Sequence, residues 1–144
     1  MARVQEVVVD ASVACKWFLP EKDTPEALLL RDDHIEERIR ILAPELMAYE
    51  VANALRYHPA LGKEGLQETI RYLYDLQLSW VPATHRDLGS AADFARRQRV
   101  SVYDACYATL AEHRSCPLVT NDTLLLKTSR RAVSLSEWAA RRSS

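Results

Sequence analysis

Apolar residues fall into short runs along the chain, separated by longer stretches in which they recur every three or four positions. The first run, Val4 to Val9, is β-branched and broken only by Gln5 and Glu6, which predicts a buried strand ending at Asp10. A helix is expected next, with Ser12 a candidate cap and Trp17, Phe18 and Leu19 ahead of the breaker Pro20. Glu21 to Ile39 reads as a second helix, and the charged tract from Arg31 to Arg40 as solvated surface. Ile41 to Ala43 is a short strand, after which Pro44 suits the first turn of a helix continuing from Glu45 to Tyr57.

Lys63 to Gln77 gives another helix, and Trp80 and Val81 a third strand before Pro82. Thr84 caps a helix from His85 to Arg99, and Ser101 caps the next, from Val102 to Arg114. Leu118 to Thr120 is a strand, Asn121 to Leu126 a short helical turn and Ala132 to Leu135 a last strand, with an amphipathic turn at Glu137 to Ala140. Short apolar strands alternating with helices imply an α/β fold, a three-layer α/β/α sandwich around a mainly parallel central sheet. At 144 residues, positions 1–144 are expected to form a single domain.

Composition narrows the function. A hydrophobic fraction of 48% and a charged fraction of 27% are those of a globular protein, and three glycines exclude a glycine-rich phosphate cradle. Nineteen Lys and Arg against 20 Asp and Glu leave a net charge of -1, so a polyanion would have to be held locally. The stretch from Met1 to Asp10 is too short and too charged for a signal-peptide core or a membrane span, so neither export nor membrane association is expected. Cys15, Cys106 and Cys116 are odd in number and form no CxxC pair, which suits reduced thiols in a cytoplasmic compartment. His34, His58, His85 and His113 are scattered, and this disfavours zinc or iron.

Acidic residues are the informative ones. Asp10 and Asp122 each follow an apolar strand and precede a helical turn, where functional groups gather in open parallel sheets. Glu50 interrupts an apolar helix face made by Leu46, Met47, Val51 and Ala54; Asp104 shares its side of a helix with Tyr107, Ala108 and Ala111. A carboxylate facing a core is costly unless it is paired, hydrogen-bonded, protonated or bound to a metal. Four such acids would repel one another without a cation, and an all-oxygen set suits Mg2+ or Mn2+. Lys16, Arg96, Arg97, Arg99, Arg130 and Arg131 are candidates to hold a polyanion beside them. No Ser/His/Asp or Cys/His set is evident, which leaves hydrolysis by water rather than covalent catalysis.

The ordered segments Val7-Val8-Val9-Asp10-Ala11-Ser12, Pro44 through Leu55 with Glu50 at their centre, Ser101-Val102-Tyr103-Asp104-Ala105 and Leu118-Val119-Thr120-Asn121-Asp122 resemble the PIN-domain nucleases, and within them the VapC-like toxins of toxin–antitoxin pairs. The resemblance spans essentially the whole chain. It implies a metal-dependent endoribonuclease in which Asp10, Glu50, Asp104 and Asp122 hold Mg2+ or Mn2+. Ser12 and Thr120 match the family's supporting hydroxyl residues. RNA is then the substrate, the chain a homodimer, and its partner a cognate antitoxin whose helix fills a groove beside Trp17, Phe18 and Tyr57. The rivals are a catalytically silent binding module of the same fold, a receiver-type signalling domain and a haloacid-dehalogenase-type phosphatase. A receiver needs a phospho-accepting Asp ending a middle strand and a lysine near the last one; the phosphatase needs an Asp at the position of Ser12.

Overall fold

A computed structural model of the chain describes residues 4–142. The elements are β1 (Gln5–Val9), α1 (Ala11–Ala14), a 3-10 turn at Cys15–Trp17, α2 (Thr24–Ile35), β2 (Ile39–Pro44), α3 (Leu46–Leu55), α4 (Lys63–Asp75), β3 (Ser79–Val81), α5 (His85–Gln98), α6 (Val102–Arg114), β4 (Leu118–Val119), α7 (Thr123–Thr128), β5 (Ala132–Val133) and α8 (Leu135–Arg142). Every strand pairing is parallel, in the order β3-β2-β1-β4-β5. Parallel neighbours need crossover connections, which is why a helix separates each pair of consecutive strands and the sheet is flanked by helices. The expected α/β sandwich is the fold observed.

The central strands carry the core. Val7, Val8, Val9, Ile41, Leu42, Leu118 and Val119 are all fully buried, each contributing about 1.5–3 kcal/mol of transfer free energy. Helix α6 lies across β1, β2 and β4 through Tyr107, Ala108 and Ala111, while its small Ala105 packs with Ala91 and Ala95 of α5. Successive strands are added outward from β1, first on one side and then on the other. The order therefore reverses between β1 and β4, and open parallel sheets bind ligands beyond the carboxyl ends of strands flanking such a reversal.

Several local expectations are corrected. Asp10, not Ser12, caps α1: its carboxylate accepts the Val13 N–H, and Ser12 lies inside the helix. Helix α2 ends at Ile35 rather than Ile39, because Glu37 turns left-handed (φ 61°) and Ile39 already pairs with Gln5 in the sheet. Pro44 is the last residue of β2, opposite Val81, rather than part of the helix that follows. Leu135, assigned to the last strand, opens α8. Trp17 is not a groove residue either: it is 7% exposed, and its indole N–H donates to the Ala27 carbonyl at 2.9 Å. Among the described residues no helix is long and apolar enough to cross a membrane.

Candidate active site

Asp10 leaves the carboxyl end of β1 and is 4% exposed. It meets hydroxyl and amide donors and, among the described residues, no cation. The Ser12 hydroxyl donates to its Oδ1 at 2.6 Å, the Thr120 hydroxyl to its Oδ2 at 2.6 Å, and the Val13 amide to Oδ1 at 3.3 Å. Both hydroxyls are in turn acceptors, Thr120 from the Asp122 amide at 2.9 Å and Ser12 from the Asn121 amide at 3.3 Å. The two side chains thus tie the end of β1 to the loop that follows β4. Burial pushes the Asp10 carboxyl up to about 6, with Asp122 adding to the rise, against the hydrogen bonds from Ser12, Thr120 and Val13.

Asp122 caps α7 by accepting the Leu125 amide at 3.0 Å. Asp104 sits in the first turn of α6 behind the cap Ser101. Helix α5 starts in the same way, yet there Asp87 closes a full capping box with Thr84 and its carboxyl is held low. Only the Ser101 half of that box forms in α6, and the half-buried Asp104 carboxyl is raised by desolvation and by the charge of Asp122. Glu50, half-buried on α3, is raised by desolvation and by Asp104, while the Tyr107 hydroxyl, which donates to its Oε1, pulls the other way. The charge of Asp122 thus raises both Asp10 and Asp104, and that of Asp104 raises Glu50, which links the four carboxylates in pairs.

The donor set is all oxygen. Among the described residues no three His, Cys, Asp or Glu side chains gather into a ready-made cage. An all-oxygen set suits a hard cation such as Mg2+, which keeps several of its waters.

The PIN domain family model matches residues 7–131, which contain all four acids. This chain belongs to the PIN-domain family. Ribonuclease VapC3 of Pyrobaculum aerophilum is 31% identical over 124 residues, which cover 83% of this chain and 92% of that protein. The crystal structure of PAE2754 from Pyrobaculum aerophilum superimposes with a TM-score of 0.71 at 25% identity, covering 99% of this chain and 98% of that one.

Most of the cations expected to flank the site in this PIN domain are already engaged. Lys16 is buried against Glu21 at 3.2 Å, Arg97 pairs with Asp93 at 3.0 Å, and Arg130 and Arg131 both face Glu112. Arg96 and Arg99 are exposed and make no ion pair among the described residues. Two polar residues of the PIN domain's site are not evident from sequence. Tyr107 has the pattern of a core residue on an apolar helix face. Asn121 has that of a turn residue, yet its side chain donates to Asp23 at 3.0 Å and accepts the Leu135 amide at 3.1 Å, joining the site loop to α8. Only its position between Thr120 and Asp122 hints at this.

Proposed function

We propose that this PIN-domain protein is a Mg2+- or Mn2+-dependent endoribonuclease that hydrolyses RNA phosphodiester bonds, acting in the cytoplasm as the toxin of a toxin–antitoxin pair. The observation that carries the reading is Asp10: a buried carboxylate with neutral hydrogen-bond donors, no cationic partner among the described residues and the charge of Asp122 acting on it. Burying an uncompensated charge beside like charges is costly, and a divalent cation removes that cost.

In this reading Asp10, Glu50, Asp104 and Asp122 hold the cation. When bound, it supplies a water of lowered pKa and positive charge beside the phosphodiester. Ser12 and Thr120 fix both Asp10 oxygens, so this carboxylate cannot rotate away. The thiols offer no rival nucleophile, since burial pushes Cys15 up to about 11 and raises Cys106 as well.

The partners proposed are RNA, a second copy of the chain and an antitoxin protein. Exposed aromatic surface supports association: Tyr49, Tyr57 and Tyr103 are 78, 83 and 65% exposed. Tyr49 also borders an apolar cleft of about 400 Å3 with Leu46, Pro82, Cys106 and Leu110. Phe18 and Tyr72, whose rings meet edge-on at 5.8 Å, and separately the exposed Tyr57 are the residues proposed to meet an antitoxin in place of the buried Trp17.

The test is RNA cleavage by the purified protein. Cleavage should need Mg2+ or Mn2+, stop with EDTA, and fall by at least about 100-fold in Asp104→Asn. Full metal-dependent activity in that variant, or activity undiminished by EDTA, refutes the reading. Light scattering should give a dimer; a monomer with no co-purifying small protein counts against the partners.

A further inference from the structure

Tyr107 is 1% exposed, and a buried hydroxyl needs partners. It donates to Glu50 Oε1. Glu50 lies on α3, and Tyr107 follows Asp104 by one turn of α6. One hydrogen bond therefore joins the two helices that carry Glu50 and Asp104.

The direction of this bond is fixed: an ionised carboxylate has only acceptors, so the Tyr107 hydroxyl gives its single proton and Glu50 accepts. Unanchored, a half-buried glutamate repelled by Asp104 would swing out toward water.

We propose that Tyr107 is a positioning residue for the cation: by holding Glu50 Oε1 it presents Oε2 to the metal or to a metal-bound water. The proposal rests on the metal-dependent reading above. Outer partners that orient ligands in this way typically contribute 10- to 100-fold in metal affinity.

Mn2+ binding without RNA provides the test, measured by calorimetry on the parent, Tyr107→Phe, Glu50→Gln and the double variant. Tyr107→Phe should weaken Mn2+ binding by roughly tenfold or more, and the double variant should bind no more weakly than Glu50→Gln. Additive losses, or a Tyr107→Phe affinity equal to the parent's, overturn the proposal while leaving the metal reading intact. A parent that binds no Mn2+ overturns both. If Tyr107→Phe does not fold, near-ultraviolet difference spectra decide: a tyrosine perturbation on adding Mn2+ to the parent that is missing in Glu50→Gln supports the proposal, and identical spectra refute it.

Discussion

Two aspartates of this protein are almost equally buried, Asp10 at 4% and Asp33 at 3% exposure, and their surroundings are opposite. Asp33 on α2 is clamped by Arg142 of α8, through bonds of 2.7 and 2.9 Å, and by Arg38 at 3.1 Å. These guanidiniums hold its carboxyl below the usual range. Asp10 has two hydroxyls, an amide and the charge of Asp122, and burial raises its carboxyl to about 6. Burial alone therefore does not separate structure from chemistry; the sign of the surrounding charge does. Asp33 is compensated by guanidiniums of the fold, whereas Asp10 has no cation beside it among the described residues.

The largest effects should come from exchanging each aspartate for asparagine. Asp10→Asn should lower RNA cleavage by about 1000-fold or more while the protein stays folded, since an amide still fits among Ser12, Thr120 and Val13. Asp33→Asn should leave kcat unchanged and lower stability by about 1–3 kcal/mol, because Arg142 and Arg38 lose charged partners but are exposed enough to rehydrate. Activity assays paired with thermal melts decide the matter. An inactive Asp33→Asn or a fully active Asp10→Asn would break the contrast.

Next in size is a pH dependence of opposite sign at the two residues. Folded Asp10 holds its proton more tightly than the unfolded chain does. Its contribution is thus fully present below pH 3.8 and is lost as pH rises through about 6, a loss of about 3 kcal/mol in metal-free protein. For Asp33, lowered in the folded state, the contribution is present above pH 3.8 and is lost as pH falls further. Melts in EDTA should show Asp10→Asn gaining stability over the parent between pH 4 and 7, and Mg2+ should erase that gain by binding only the parent's folded state. A difference that does not vary with pH would show that Asp10 is held in its ordinary range.

The sequence makes the acids legible and their supports much less so. Asp10 and Asp122 stand at the ends of apolar runs, and Glu50 breaks an apolar stripe, so each is visible within a few positions. Helix α6 is legible to both ends because Ser101 caps it and Arg114 precedes the left-handed Ser115 that ends it. The end of helix α2 is hidden because no glycine or proline marks it. Glu37 adopts the left-handed turn, held by the Arg38 amide on the Asp33 carbonyl at 2.8 Å. Pro44 is ambiguous because a strand-ending proline and a helix-opening one look alike until β3 is seen pairing beside it. Tyr107 meets Glu50 from 57 positions away, and Arg142 meets Asp33 from 109, separations that local patterning does not reach.

The smallest expected effect carries the contrast over to the arginines. Arg142 is held by Asp33, while Arg96 on α5 and Arg99 at its end are exposed without an ion pair among the described residues, a few positions before Asp104. A cation already neutralised has little to offer a phosphate, whereas a free one releases counterions when RNA binds. Replacing Arg96 and Arg99 together by alanine should raise KM several-fold and leave kcat nearly unchanged. The slope of log KM against log salt should fall by about 0.7 for each phosphate that the variant no longer neutralises. Arg142→Ala should do the reverse, lowering the melting temperature by loosening α8 from α2 while the salt slope stays as in the parent. An unchanged slope in the Arg96 and Arg99 variant would remove these two from the RNA path. Lys16, Arg97, Arg130 and Arg131 would then have to part from their carboxylate partners in order to serve there.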